Sequence, residues 1–422
     1  MVPILKMGDY DDKSAIASVV KIVNQLSPTE YSNFEYDGVS VGQHALASSF
    51  RVTGRGTLLE SEYHHWVHKH QLIGAICVQR AAKKIFEYHK PDSIALTHGI
   101  YVDHGTIAET ARSMDIPVTV FVRPYRKDTV MFSHGDTYHR ALIDEPVSIW
   151  NGIDLSAEKQ ETLSNYVESR RTGVLDSITY HPNPIECKRE MFDSLGIASE
   201  KPIVTLFTNV LWDAQIYHAC NAFPNMLEWL FETVEYFANR PEIQLVVRVH
   251  PAEVKARIKS QQPVMNELTS RFTVLPKNVV VIPPDSDISS YDLAEASTTC
   301  LVFGTKMGLE IALRRIPVIV AGESFVRGKG FTYDASTAKE YFSLLDDIPQ
   351  IPRLSDSQFA LAKKYAYHFY FRRQIDFGLF EEGSGRWGRF TFTDLSKLLV
   401  GSNKNLDTIC SRLISREEIV VD

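Results

Sequence analysis

Short β-rich runs alternate with longer helical runs along most of this chain. That rhythm restricts it to the α/β class, with parallel strands joined by crossover helices. In the first half, Ser93–Thr97 (SIALT) reads as a buried strand behind the turn signal Lys90-Pro91-Asp92. A helix from about Thr106 to Met114 and the strand Pro117–Val122 follow. A long helix, about Leu59 to His89, precedes them. The stretch from about Pro124 to Asn151 is irregular and rich in His, Asp and Tyr, and it gives way to an amphipathic helix near Ser156–Arg170.

Turn residues crowd together over Tyr180–Pro184 and again over Ser199–Pro202, and a domain boundary belongs between the two. The rhythm then restarts with strand Ile203–Thr208, helix Met226–Asn239, strand Gln244–Val249 and helical segments over about Ala252–Phe272. Strands Asn278–Ile282 and Cys300–Phe303, helix Lys306–Arg315 and strand Pro317–Val320 complete it. A chain of 422 residues suits two domains better than one core. The expected architecture is two Rossmann-like domains facing a cleft, residues 1–198 and 199–375. A helical tail, 376–422, would pack back on the first domain. The aromatic-rich helix Ser357–Arg373 leads into that tail, and further helices are expected around Thr393–Val400 and Leu406–Leu413. No glycine-rich turn follows an early strand, so the first domain lacks a dinucleotide fingerprint.

Charge narrows the choice of partners. Lys and Arg number 45 against 52 Asp and Glu, a formal charge of −7, which suits neither nucleic acid nor anionic lipid as the main partner. The five cysteines (Cys77, Cys187, Cys220, Cys300, Cys410) form no CxxC pair, as expected of reduced thiols in a cytosolic protein. The start, MVPILKMGDYDDK, turns acidic too early for a signal peptide or anchor. No apolar run approaches the roughly 18 residues that span a bilayer. The expected location is the cytoplasm, with at most peripheral contact at the inner face of the cytoplasmic membrane. Arg372, Arg373, Arg386 and Arg389, which flank aromatics, are candidates to meet lipid phosphates there.

Four segments carry candidate chemistry. In LVVRVHPAE, an apolar strand ends at Arg248 and His250, where open α/β sheets hold ligands, so both are candidates for a ligand anion. The alternative is a histidine that satisfies loop carbonyls. In CLVFGTKMGLEIALRRIPVIVAGE, Gly304 permits a tight turn, and Thr305, Lys306 and free N–H groups at the helix start suit phosphate. Glu310, one turn further, would reach a ribose diol, or else pair with Arg314 in an ordinary βα unit.

In TLFTNVLWDAQIYH, Asn209 and Asp213 stand four apart beyond a strand. Asp213 would serve as nucleophile, general base or sugar-hydroxyl acceptor, or simply cap a helix. In LTHGIYVDHGTIAE, His98, Tyr101, Asp103 and His104 cluster beyond a first-domain strand and would contact a second substrate, with Asp103 and His104 as candidate catalytic groups. A surface loop with an Asx turn is the alternative. Asp136 and His139 are placed similarly. His64, His65, His68 and His70 offer no third ligand at a telling spacing, so they read as a polar helix face and no metal ligand is assigned.

Taken together, TNVLWDAQI, the HP dipeptide of RVHPAE, VFGTKMGLEIALRRIPVIVAGE and the aromatic helix KKYAYHFYFRR resemble bacterial capsule polysaccharide biosynthesis proteins, a group that includes β-Kdo transferases. HGIYVDHGTIAETARSMDIPV looks like the acceptor-side half of such proteins, so the resemblance runs over most of residues 92–373. It implies a GT-B architecture, with the acceptor mainly on the first domain and a nucleotide sugar mainly on the second. His250 would fall on the family's HP position near the donor phosphate. Asn209 and Asp213 would fall on a Q-x-x-x-D motif, with Asn in place of Gln, and Thr305 on a position often held by Ser. The absent glycine-rich turn implies a shortened or divergent first domain.

The expected function is that of a glycosyltransferase moving a sugar, Kdo or a related acidic sugar, from a CMP-, UDP- or GDP-linked donor to a capsule or lipid-linked glycan. No cofactor beyond the donor is expected. Arg248, His250, Lys306 and backbone N–H groups would stabilise the departing phosphate. No DxD motif stands near a strand end, so metal independence is expected, and capsule-assembly proteins are further candidate partners. A nucleotide-sugar epimerase, a teichoic-acid-type polyol-phosphate transferase and a non-catalytic assembly scaffold are the alternatives.

Overall fold

The fold is described from a computed structural model covering residues 6–10, 13–180, 184–185, 192, 195–198, 200–214, 221–380 and 394–422. The smaller sheet comprises β1 (Ile94–Thr97), β2 (Val118–Val122) and β3 (Met131–His134). β1 and β2 run parallel, joined by the helix His104–Ser113, and β3 is antiparallel to β2. The first half therefore keeps one βαβ unit. β3 and the helix Tyr138–Asp144 both lie in the stretch that reads as irregular, because four and seven residues are too short to show a period.

Two more helices, Lys13–Val23 and Val41–Thr53, escape the sequence pattern and pack with the long helix Glu62–His89. That long helix begins at Glu62 because the Ser61 hydroxyl accepts the His64 N–H and caps it.

In the second half, six parallel strands form one sheet: β4 (Ile203–Phe207), β5 (Gln244–Arg248), β6 (Val279–Ile282), β7 (Thr299–Val302), β8 (Val318–Val320) and β9 (Tyr333–Asp334). Their order is β6-β5-β4-β7-β8-β9, the Rossmann order, with its switch point between β4 and β7. β4, β5, β7 and β8 are buried throughout, as parallel strands covered on both faces must be. On one face Val204, Leu206, Leu245 and Val247 meet Trp229, Leu230, Val234 and Phe237 of the helix Met226–Ala238. On the other, Phe207, Val302 and Val320 join Tyr365, Phe369 and Trp150, so this core runs on into the first half. The chain is thus an α/β protein of two Rossmann-like parts.

The helix Asp356–Tyr367 continues through one π-helical turn, His368–Arg372, and crosses to the first half. Lys364 Nζ donates to the Asn151 carbonyl at 2.6 Å, and Arg126 Nη1 to the Tyr370 carbonyl at 2.7 Å. The last helix, Lys404–Ser415, places Ile409 against Ile375 and Ile419, with Phe132 of β3 packed on them. The last helix of the tail does pack back on the first domain, whereas around Thr393–Val400 there is only a short turn, Leu395–Leu398, with no buried residue.

That packing corrects one expectation. Arg373 is buried in an ion pair with Glu145 and a second one, at 2.6 Å, with Glu418. Arg372 pairs with Asp422 at 2.8 Å and donates to Ile149 O. Both hold the tail in place rather than face lipid. Arg386 and Arg389 lie outside the described residues. Among the described residues, no helix is long and apolar enough to cross a membrane.

Candidate functional site

The carboxyl ends of β4, β5 and β7 converge at the switch point. After β4 the chain runs through Thr208 and Asn209 to Asp213, and after β5 it reaches His250. The His250 N–H donates to Thr208 Oγ1 at 3.0 Å, which ties the two loops together. The imidazole Nδ1 accepts the Ala252 N–H at 3.0 Å, so the ring is held by its own loop, edge-on to Tyr180.

Asn209 and Gly304 meet across the switch point: a Cβ on Gly304 would lie 3.6 Å from Asn209 Nδ2 and 2.4 Å from the Glu323 carbonyl. No side chain fits there, and that close approach is what the glycine permits. Asn209 Oδ1 is sealed from solvent without a hydrogen-bond partner among the described residues. A buried acceptor left unmet costs about 1–3 kcal/mol, so this oxygen is a natural contact for a ligand donor.

Thr305 and Lys306 follow directly. The helix after them, Met307–Ala312, is only six residues long, and its first N–H donates to Thr305 Oγ1 at 3.3 Å. One of the donors expected to meet phosphate is therefore already used. Lys306 Nζ stands 4.3 Å over the Tyr125 ring and 3.8 Å from Glu310. Burial, then the Arg170 guanidinium, push its pKa down to about 8. Its side chain keeps 28% exposure.

Two of the predicted ligand residues are turned away from any ligand. Arg248 is buried, and its guanidinium donates to the carbonyls of Pro283, Ser286 and Ile288 and to Ser290 Oγ. Burial draws its pKa down to about 10. It pins the loop after β6 instead of holding a phosphate. Glu310 is 1% exposed, 2.8 Å from Arg170 Nε, and it accepts the Tyr291 hydroxyl at 2.5 Å. Burial alone would raise its pKa, but Arg170 and Lys306 outweigh that and hold it low. Arg170 also pairs with Asp176 at 2.7 Å. Glu310 therefore ties the two halves together and does not face a ribose. Arg314 reaches only its main-chain carbonyl.

Asp213 stands in the cleft, 47% exposed, and faces the first half. Its Oδ1 accepts from Arg51 Nη1 and from Tyr101 Oη, each at 3.0 Å. Tyr101 in turn accepts from Arg51 at 2.6 Å and from the Ala214 N–H at 3.2 Å. Arg51 lies over the rings of Tyr101 and Trp212, 4.7 and 5.9 Å from their centroids. The residues after Ala214, up to Cys220, are outside the described set.

Asp103 and His104 occupy a different position. The Asp103 carboxylate accepts the His104 N–H at 2.9 Å, capping the helix His104–Ser113, and lies 3.2 Å from His104 Nδ1. These bonds, the His104 side chain first, pull the Asp103 pKa down. This is a local contact between adjacent residues, close to the surface-loop alternative, although the bond does not reach two residues on as in an Asx turn. His98 and Tyr101 of the same loop turn toward Asp213, while Asp136 binds the Thr137 N–H in a turn.

The four clustered histidines diverge. His64 accepts the Leu59 N–H, His65 meets Glu60, His68 is buried edge-on to Tyr31, and His70 bonds the Trp66 carbonyl. Among the described residues, no group of three or more His, Cys, Asp or Glu is placed to hold a metal ion.

Sequence reasoning missed Arg51. It lies on the unassigned helix Val41–Thr53, about 160 residues before its partner Asp213, and nothing local marks it.

Residues 162–370 match the family model described as capsule polysaccharide biosynthesis protein. Among solved structures, the chain is similar to the KpsC β-Kdo 2,4 transferase of Thermosulfurimonas dismutans, at 14% identity and a TM-score of 0.41, over 67% of this chain and 79% of that one. The β-Kdo 2,7 transferase of the same organism gives 14%, 0.36, 68% and 80%. The UDP-GlcNAc 2-epimerase of Methanocaldococcus jannaschii, solved with UDP-GlcNAc and UDP, gives 11%, 0.32, 70% and 80%. No match to a curated protein was found.

Proposed function

We propose that this chain, whose residues 162–370 match the family model of capsule polysaccharide biosynthesis proteins, is a glycosyltransferase acting on a nucleotide sugar. The observation that carries the reading is Asp213, a carboxylate at the mouth of a Rossmann switch point, held by two residues of the opposite half. The nucleotide sugar would bind the second half, residues 199–375, with His250, Thr305 and Lys306 around its phosphates and Asn209 Oδ1 accepting from one of its hydroxyls. The acceptor would enter over the first half, residues 1–198. As the phosphate departs, Lys306 and His250 would meet its growing negative charge in a site that needs little rearrangement. Asp213 would then act on the anomeric carbon or on the acceptor. The sugar is proposed to be Kdo or a related acidic sugar, the acceptor a capsule or lipid-linked glycan, and membrane contact, if made, peripheral.

A thermal-shift screen against CMP, UDP, GDP and their sugars tests the donor. A ligand at about 100 times its Kd stabilises a protein by about 2.7 kcal/mol, which is easily read. No shift with any nucleotide would remove the reading. Incubating the chain with CMP-Kdo or UDP-N-acetylglucosamine, without acceptor, separates the classes. Conversion to an epimeric sugar nucleotide would mark an epimerase, whereas a transferase needs the acceptor glycan.

A further inference from the structure

We propose that His98 takes the proton from the acceptor hydroxyl in this transfer, an assignment that rests on the glycosyltransferase reading above. His98 is the first residue beyond β1, at the carboxyl end of the first sheet. Its φ is 65°, in the left-handed region, and Gly99 follows at 75°. A non-glycine residue held there costs on the order of 1–3 kcal/mol, and such strain gathers at functional sites. The His98 N–H donates to the Phe121 carbonyl at 3.2 Å and the Gly99 N–H to the Thr97 carbonyl at 2.8 Å, so the turn is fixed by its own backbone.

The ring is aimed by packing. Its centroid lies 5.2 Å from that of Tyr101 and 6.3 Å from that of Tyr138. It is only part-buried, yet Nδ1 is sealed from solvent and meets no hydrogen-bond partner among the described residues. A strained backbone thus carries a ring whose Nδ1 meets no partner among the described residues. Such a ring is positioned for a group that arrives later.

The charges around it suit proton transfer. Asp213, Arg51, His104 and His139 act on the imidazole, and burial, then His139, hold its pKa at about 4 against the pull of Asp213. At neutral pH the ring is uncharged and has a lone pair to give. An anionic donor entering the cleft adds to the field of Asp213 and raises the basicity when it is needed.

In the step itself, the acceptor O–H proton passes to the lone pair of the neutral imidazole. The acceptor oxygen forms its bond to the anomeric carbon. The bond from that carbon to the leaving oxygen breaks, and its electron pair goes to the nucleotide phosphate, or to Asp213 if the sugar has first passed to that carboxylate. The imidazolium then sits in the field of Asp213.

The variant that tests this is His98→Gly, because glycine is at home at this φ and the vacated space admits free imidazole. The assay follows nucleotide release and product from CMP-Kdo and UDP-N-acetylglucosamine with octyl glycosides of Kdo and N-acetylglucosamine as acceptors. The expected result is a kcat lower by about 10²-fold or more. CMP and UDP affinities should be unchanged, and added imidazole should restore part of the rate in proportion to its free-base form. A variant within a few-fold of wild type, or a loss that imidazole does not relieve, overturns the role of His98. A wild-type chain that transfers from neither donor is a different failure, since it removes the transferase reading and this role with it.

Discussion

Tyr101 and Asp213 come from opposite halves of the chain and share a hydrogen bond of 3.0 Å, the phenol donating to carboxylate Oδ1. The same phenol oxygen accepts from Arg51 and from the Ala214 N–H, which leaves its proton directed at Asp213. The carboxylate is therefore oriented before any substrate enters. Orientation of this kind is what converts a nearby group into an effective one.

Asp213→Asn keeps the shape and removes the basicity. It should bind nucleotide as the parent does and lose on the order of 10²-fold or more in kcat. Tyr101→Phe should lower kcat by about tenfold at unchanged nucleotide affinity, since it removes one oxygen and leaves Arg51 in place. Calorimetry paired with a nucleotide-release assay reads both variants. An Asp213→Asn chain that turns over within a few-fold of the parent would reduce Asp213 to a structural partner of Arg51.

His250 and Arg248 stand two residues apart and should behave oppositely. His250→Ala is expected to weaken nucleotide binding by about 1–3 kcal/mol, the range for a charge-assisted hydrogen bond, and to cost about 1 kcal/mol in urea because the Ala252 N–H loses its acceptor. Arg248→Met strips the Pro283, Ser286 and Ile288 carbonyls of a shared donor. It should cost about 2 kcal/mol or more in urea unfolding. If calorimetry finds His250→Ala unaffected, the nucleotide does not lie at the β4–β5 edge of the switch point.

Glu310→Gln tests the buried tie between the halves. It leaves Arg170 facing Asp176 alone, and breaking one side of a buried pair typically costs about 3–5 kcal/mol. Urea unfolding should show that loss. Nucleotide affinity per folded molecule should not change, whereas a ribose-binding role would demand that it fall.

Much of the second half was legible because parallel strands covered on both faces must be continuous apolar runs, and IVTLF, QLVVR and TCLV are such runs between turn residues. Asn209, Gly304 and His250 followed from the rule that ligands gather at strand ends. What stayed hidden was partnership over distance. Arg248 ends a strand as a phosphate ligand would, but the carbonyls that capture it begin 35 residues later. Glu310 looks like a ribose acid until Arg170, 140 residues earlier, is seen beside it. The helix that carries Arg51 buries small residues such as Gly42, Ala45, Ala47 and Ser49 against its neighbours, so it shows no strong apolar stripe. At Gly42 an added Cβ would meet the Tyr31 carbonyl at 2.3 Å, a contact that no local pattern announces.

Glu253 gives the chain a predictable response to pH. Its carboxyl is 1% exposed, and burial drives its pKa up to about 7 although the Val264 N–H bonds to it. A carboxyl whose folded pKa exceeds its unfolded value binds its proton more tightly in the folded chain. Its contribution is therefore complete below about pH 4.5, declines as pH rises toward 7, and is gone above that. The full span is about 3 kcal/mol, because the folded and unfolded proton affinities differ by a factor of ten for every ~1.4 kcal/mol. Glu253→Gln keeps an oxygen for the Val264 N–H and cannot titrate. Relative to wild type, the variant should gain stability between pH 5 and pH 8, most of it before pH 7, when urea midpoints are compared at both values. Parallel pH profiles for the two proteins would mean that water reaches Glu253 and that its carboxylate is not forced to stay protonated.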